Sequence, residues 1–250
     1  NMKNKKIVIV GATSAIAEHC ARLWIGSDPV EMILLGRNQS KLEPIAVDLR
    51  VRNPQANIIC SEVNFTEADA IETYVQSLAD AAPIDLILIA HGALADQQMC
   101  QQQLSLCAQS LLINGVSPVL FAEAFAKQLE KQGRGTLVLI GSVAGDRGRK
   151  SNYIYGAAKG LMSRYAQGLQ HRFAQSQVKI ILVKPGPTDT PMTVHLKAQG
   201  QKLAHPAEVA QNIVDGVAKN KAVIYAPGIW KYIMTVICCI PNFIFAKMDI

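Results

Sequence analysis

Residues 141–159, GSVAGDRGRKSNYIYGAAK, place Tyr155 and Lys159 four positions apart and Ser142 thirteen residues ahead of the tyrosine. On a helix, residues i and i+4 share a face, so the Lys159 ammonium can stand beside the Tyr155 phenol. A free phenol, with a pKa of ~10, is a poor acid-base group at neutral pH. A neighbouring cation stabilises the phenolate and lowers that value. Ser142 follows the apolar run 136–140 and can hydrogen-bond a substrate carbonyl from the loop beyond that strand. In outline this is a site that reduces a carbonyl or oxidises an alcohol. A lone Tyr-x-x-x-Lys is more often a half-exposed helix face, so the reading depends on its surroundings.

Asn114, in LLINGVSP, lies forty-one residues before Tyr155. The set Asn114, Ser142, Tyr155 and Lys159 resembles the short-chain dehydrogenase/reductase family, in which these four residue types act together at such spacings. The resemblance implies an α/β fold: a Rossmann-type doubly wound parallel sheet flanked by helices. It also implies roles. Ser142 holds the carbonyl, Tyr155 protonates the developing alkoxide, Lys159 binds the nicotinamide ribose and lowers the tyrosine pKa, and Asn114 with a water restores the proton. In that family the Asn114 and Tyr155 helices also pack on a second subunit, which implies a homodimer or homotetramer.

Towards the N-terminus, KIVIV at residues 6–10 ends in Gly11 and is followed by ATSAIAEHCARLW, which has helical spacing. Strand, glycine turn and helix form a dinucleotide-binding opening, where N–H groups at the helix start receive the pyrophosphate. The resembling family has Gly-x-x-x-Gly-x-Gly, whereas here Gly11 is followed by Thr13, Ser14, Ala15, Ile16 and Ala17. Ala15 adds a methyl near the pyrophosphate, and Ala17 adds one where the helix packs closely. The strand 31–35 ends in Gly36-Arg37-Asn38. An acidic residue there would accept the ribose hydroxyls of NAD, while a guanidinium pairs with the 2′-phosphate, so Arg37 argues for NADP(H) over NAD(H).

After a helix 39–52 and a strand 56–63, Asn64-Phe65 stands where the family has Asp-Val against the adenine. Asn64 can accept a hydrogen bond from the adenine amino group, and Phe65 either flanks the ring or joins the core. A helix 67–81 leads to the strand Asp85-LILIA. The family's Asn-Asn-Ala-Gly aligns on Ile89-Ala90-His91-Gly92, so Ala90, His91 and Gly92 border the cofactor while both asparagines are lost. His91 reads as a hydrogen-bonded wall residue, because Tyr155 already fills the proton-donor role.

The glutamine-rich stretch 94–107 reads as a mobile lead-in to a helix 110–132. The strand 178–183 runs into Lys184-Pro-Gly-Pro-Thr-Asp-Thr-Pro-Met192. Its Pro185-Gly186-x-x-x-Thr190 turn resembles the family segment that receives the nicotinamide carboxamide, with Thr188 giving backbone and Thr190 its hydroxyl. Residues 193–203 form a flexible lid. A helix to 219 and a parallel strand 222–225 complete a dinucleotide-fold domain, residues 2–228, with a cofactor half to 92 and a catalytic half from 93.

The extension 229–250 is unusual for the family. Its apolar run 233–246 lies between lysines, contains Pro241 and is too short to cross a bilayer core of ~30 Å. Two readings stand. It lies in a membrane interface with Trp230 and Tyr232 at headgroup depth, or it packs on the lid or a partner subunit. With the basic loop of Arg147, Arg149 and Lys150, the tail resembles the branch of these reductases acting on a polyprenyl-phosphate-linked keto-pentose.

The 250 residues carry a formal charge of +6, scattered rather than interleaved with aromatics on one helix, which argues against nucleic-acid binding. The six cysteines show no CxxC pairing and no secretory signal precedes them. They read as reduced cytoplasmic thiols, with no metal site. Asn1 ahead of Met2 reads as an added residue outside the fold. The partner implied is a small carbonyl or alcohol. The contrasting reading is a cofactor-binding sensor or scaffold that has lost turnover, favoured by Ala15 and Ala17 and opposed by the four intact site residues.

Overall fold

The computed structural model describes residues 5–198 and 200–249; Asn1 and Met2 lie outside them. Continuous apolar runs make strands that are buried on both faces, as in parallel sheets covered by helices. In chain order the elements begin β1 (Lys5–Val10), α1 (Ala15–Trp24), β2 (Val30–Gly36), α2 (Gln39–Arg52), β3 (Asn57–Glu62), α3 (Ala68–Ala81) and β4 (Leu86–Ile89). They continue with α4 (Gln97–Gln102), α5 (Leu104–Leu111), a π-helical turn (Leu112–Val116), α6 (Ser117–Gln132), β5 (Arg134–Ile140) and α7 (Tyr153–Arg172). The last are β6 (Gln177–Pro185), α8 (Val194–Ala198), α9 (Pro206–Ala218), β7 (Val223–Ala226), α10 (Ile229–Cys239) and α11 (Asn242–Phe245).

The seven strands pair in the order β3-β2-β1-β4-β5-β6-β7, all parallel. The order reverses between β1 and β4, and the crevice beyond the carboxyl ends of those strands is where open α/β sheets take ligands. Alternation along β1 feeds both faces. Ile7 and Ile9 pack with Cys20, Leu42, Leu49 and Ile213 of α1, α2 and α9. Val8 and Val10 pack with Val75, Phe121, Phe125 and Leu169 of α3, α6 and α7.

One expectation fails here, and one open alternative is narrowed. The stretch 94–107 is not an irregular lead-in. The Asp96 carboxylate accepts the Met99 N–H at 2.8 Å and caps α4, and α5 begins at Leu104, six residues before the expected helix start. One of the glutamines is also engaged: Gln97 Oε1 accepts the Ile154 N–H at 3.1 Å, pinning α4 to the first turn of α7.

In the tail, Trp230 does not stand outward. Its indole packs so closely on Gly186 that a Cβ there would lie 2.1 Å from Nε1. Tyr232 and Phe243 are the exposed aromatics of the tail, at 69% and 72%.

Candidate active site

β5 delivers the chain to Ser142 with extended backbone, and the Ser142 hydroxyl caps the short turn Val143–Gly145 by accepting the Ala144 N–H at 3.1 Å. That turn lies directly on α7. A Cβ on Gly145 would stand 2.7 Å from the Lys159 carbonyl carbon, so only glycine lets the serine loop and the tyrosine helix approach this closely. Lys159 is 3% exposed, and its Nζ donates to the Ile140 carbonyl at 3.1 Å. It stands 5.7 Å from the centre of the Tyr155 ring, so the two residues four apart do share a site.

Asn114 is fully buried, and it sits in the π-helical turn rather than in regular helix. Such single π turns inside helices recur at functional sites. Its Oδ1 accepts the Ala93 N–H at 2.8 Å and its Nδ2 donates to the Ser110 carbonyl at 2.9 Å. A Cβ on Gly92 would be 3.0 Å from Asn114 Oδ1 and 3.6 Å from Lys159 Nζ. Asn114, Lys159 and the end of β4 therefore meet at one point of backbone, with Ser142 and Tyr155 beside it.

Burial dominates the electrostatics. It pushes the Tyr155 phenol up to about 12, while the Ser142 hydroxyl pulls the other way. Burial likewise brings the Lys159 amine down to about 8. The expectation that Lys159 draws the phenol towards neutrality is not met: the ammonium points at the Ile140 carbonyl, and desolvation of the phenolate is the larger effect.

At the other end of the crevice, Gly11 adopts φ 76°, and a Cβ there would sit 2.6 Å from the His91 backbone nitrogen. Ser14 is the N-cap of α1 without a side-chain capping bond, so the first N–H groups, from Ala15 and Ile16 onward, are free to meet an anion. Thr13 is exposed beside them, while the Ile16 side chain belongs to the core. Ala17 is fully buried against the same core, so its methyl is absorbed by packing. These features fit a dinucleotide pyrophosphate despite the missing glycines. Arg37 is exposed, pairs with no carboxylate among the described residues, and lines a cavity of ≈ 340 Å³ with Ala93, Leu94 and Asn114.

The two residues read from the sequence as adenine neighbours are already engaged within the fold. Asn64 Oδ1 already accepts from the Thr66 N–H at 3.0 Å and its hydroxyl at 2.8 Å, so it is engaged in a local turn. Phe65 is 3% exposed and packs edge-on to Phe121 and His91, which makes it core rather than a ring wall. Ala90 continues the ladder, its N–H donating to the Val10 carbonyl at 2.9 Å.

His91 is hydrogen-bonded, as the sequence indicates. Its Nε2 is 2.8 Å from the Ser117 hydroxyl, which itself donates to the Phe65 carbonyl. A hydroxyl has one proton to give, so His91 must donate from Nε2, leaving Nδ1 an acceptor. Burial, with Lys159 and Arg37 adding repulsion, takes the ring down to about 3, so it is neutral at physiological pH. Ser117 was not singled out from the sequence; a small polar residue opening an apolar helix three positions after Asn114 is the available signal.

Beyond β6, Pro185 ends the strand and Gly186 follows. Thr188 is buried, its hydroxyl donating to the Gly186 carbonyl at 2.9 Å. Thr190 caps the turn Pro191–Thr193. The lid segment is tethered at its far end, where Ala204 pairs with Thr188, and midway, where Lys197 Nζ meets Asp189 Oδ2 at 2.6 Å. Among the described residues no cluster of His, Cys, Asp or Glu is arranged to hold a metal ion.

Residues 5–201 match the family described as short chain dehydrogenase. An uncharacterised oxidoreductase of Streptomyces coelicolor is 26% identical over 249 residues, covering 98% of this chain and 96% of the relative. One from Mycobacterium tuberculosis is 27% identical over 246 residues, covering 97% and 96%. Among solved structures, a short-chain dehydrogenase from Burkholderia cenocepacia in complex with NADP superposes with a TM-score of 0.82 at 15% identity, covering 98% of this chain and 97% of its own. Another, from Sphingobium yanoikuyae in complex with NADPH, gives 0.79 at 19%, covering 98% and 96%.

Proposed function

The chain belongs to the short-chain dehydrogenase family of NAD(P)-dependent oxidoreductases, and on that premise we propose that it uses NADP(H) to interconvert a carbonyl and a secondary alcohol through Asn114, Ser142, Tyr155 and Lys159. The observation that carries the reading is the meeting of these four residues where β4 and β5 end. Bound cofactor supplies or accepts the hydride. Ser142 orients the carbonyl oxygen beside the Tyr155 phenol. The phenol, kept protonated by burial, gives its proton to that oxygen in reduction. Charged Lys159 favours the phenolate as the proton leaves, and Asn114 holds the backbone at Ala93 behind it. The meeting of all four also opposes the reading as a sensor or scaffold without turnover.

Arg37, exposed and without a carboxylate partner among the described residues, supports NADP(H) over NAD(H). The six free thiols fit a reducing, cytoplasmic compartment. Exposed Leu104, Leu111, Val116 and Leu161 on α5, the π turn and α7 give a homodimer or homotetramer an apolar face to bury.

One observation favours a second reading, a reductase working at a membrane surface on an amphiphilic carbonyl such as a lipid-linked keto sugar. Ile229, Tyr232, Val236, Phe243 and Ile244 are all exposed on the tail. Between Asp215 and Asp249 the chain has no acidic residue and carries Lys219, Lys221, Lys231 and Lys247. Such a face suits anionic lipid. Flotation with phosphatidylglycerol vesicles is expected to carry the full chain upward and to release the Tyr232→Ser/Val236→Ser/Phe243→Ser variant. Equal behaviour of the two removes this reading.

The cofactor assignment is tested by fluorescence titration with NADPH and NADH. Arg37→Ala is expected to weaken NADPH about 10-fold or more, the loss of one charged hydrogen-bonding partner, and to leave NADH binding unchanged. Equal weakening of both, or no binding of either by the parent chain, contradicts it.

The pH profile follows from Lys159. Its pKa in the fold lies below that of a free lysine, so its charge is present at neutral pH and lost as pH rises through about 8. Reductive kcat/KM is expected to be flat below that value and to decline above it, with Tyr155 contributing no limb until about 12. A profile that stays flat well into the alkaline range would refute the assignment.

A further inference from the structure

The segment after β7 is bound to the reaction end of the molecule from two sides. Arg147, midway between Ser142 and Tyr155, extends its guanidinium to the carboxyl end of α10. Its Nη1 donates to the Ile237 carbonyl at 2.5 Å and the Ile240 carbonyl at 2.6 Å, and its Nη2 donates to Asn242 Oδ1 at 3.1 Å. The Phe245 ring lies 3.8 Å from the guanidinium carbon. The last carbonyls of a helix lack intrahelical partners and carry partial negative charge, so a planar cation with several donors suits them. Lys150 adds an ion pair to Asp249 at 2.8 Å.

At its other end α10 buries Met234 and lays Trp230 on Gly186, in the turn carrying Thr188 and Thr190. A second link closes the circuit. Asp146, next to Arg147, accepts from Lys184 Nζ at 2.5 Å and from the Tyr225 hydroxyl at 2.8 Å, tying the serine loop to β6 and β7. Lys184 immediately precedes Pro185 and Gly186.

We infer that residues 229–249 are a strap that holds the serine loop and the Gly186–Thr190 turn in register across the cleft, with Arg147 as the positioning residue that fastens it. Arg147 touches none of the four site residues in the hydrogen-bond network described above. It acts by fixing the tail, which in turn seats Trp230 on the turn. The distance between the carbonyl-holding serine and that turn then depends on a tertiary clasp rather than on the sheet alone. The inference rests on the reductase reading for its kinetic consequence, but the clasp itself can be observed without turnover.

The test uses the full chain in a Trp24→Phe background, which leaves Trp230 as the one tryptophan. Arg147→Ala is expected to increase acrylamide quenching of Trp230. It is also expected to lower kcat about 10-fold to 100-fold, the cost of a small misplacement at a reacting centre, with the Kd for NADPH rising by less than kcat falls. Arg147→Lys, which keeps the charge but loses the planar fork, is expected to recover part of both losses. Phe245→Ala removes only the ring over the guanidinium; it is expected to shift both readouts in the same direction by less, and it serves if Arg147→Ala fails to fold.

Quenching and kcat per folded molecule that match the parent would overturn the inference. So would a kcat loss accounted for by a smaller folded fraction. A parent chain that binds no NADPH and turns over no carbonyl would instead refute the reductase reading, while the quenching arm would still decide the clasp.

Discussion

A lysine amine buried against the end of a strand is the constraint around which the rest of this structure is arranged. Lys159 Nζ has the Ile140 carbonyl as its main-chain partner and is 3% exposed. Holding a cation there costs desolvation, which shows as the fall of its pKa to about 8. The geometry that permits it is equally specific. Gly145 and Gly92 leave room on either side of the lysine, Asn114 turns its amide oxygen to the β4 exit, and a π turn sets the asparagine at that height. The same dryness raises the phenol to about 12. The site is thus a buried lysine beside a half-buried tyrosine, both protonated at neutral pH, on the crevice where the strand order reverses.

The crevice wall shows how local losses are absorbed. The glycine loop keeps the one glycine that needs a positive φ, Gly11, and takes a buried methyl at Ala17 into the core. The asparagines missing from the end of β4 leave His91, which is anchored through Ser117 to the Phe65 carbonyl and remains neutral. A hydrogen-bonded imidazole packed edge-on against two phenylalanines gives rigidity at a position where the sequence offers no amide.

Much of this was legible in the residues. The strands are mostly short apolar runs, and each matches the observed one within a few residues, because a strand covered on both faces leaves little choice of composition. The spacing of Ser142, Tyr155 and Lys159 pointed to a loop followed by a helix, and both are present. What was hidden depends on tertiary contact. A glutamine-rich stretch looks solvated until Gln97 is seen to receive the Ile154 N–H. Phe65 and Trp230 could each face either way, and only packing turns the first into the core and the second onto Gly186. The sign of the Tyr155 shift was misjudged for the same reason: proximity to a cation is read from spacing, but burial is a property of the folded site.

The central claim, that Tyr155 and its neighbours serve hydride transfer to a carbonyl, is tested most directly by following the hydride. NADPH deuterated at its transferable position would be incubated with the enzyme and a panel of ketones, including α-hydroxyketones and a prenyl-chain ketone, and the alcohols examined by mass spectrometry. The account predicts one deuterium on the carbinol carbon of at least one product, lost in Tyr155→Phe although that variant still binds NADPH. Deuterium transfer that persists undiminished in Tyr155→Phe would contradict it.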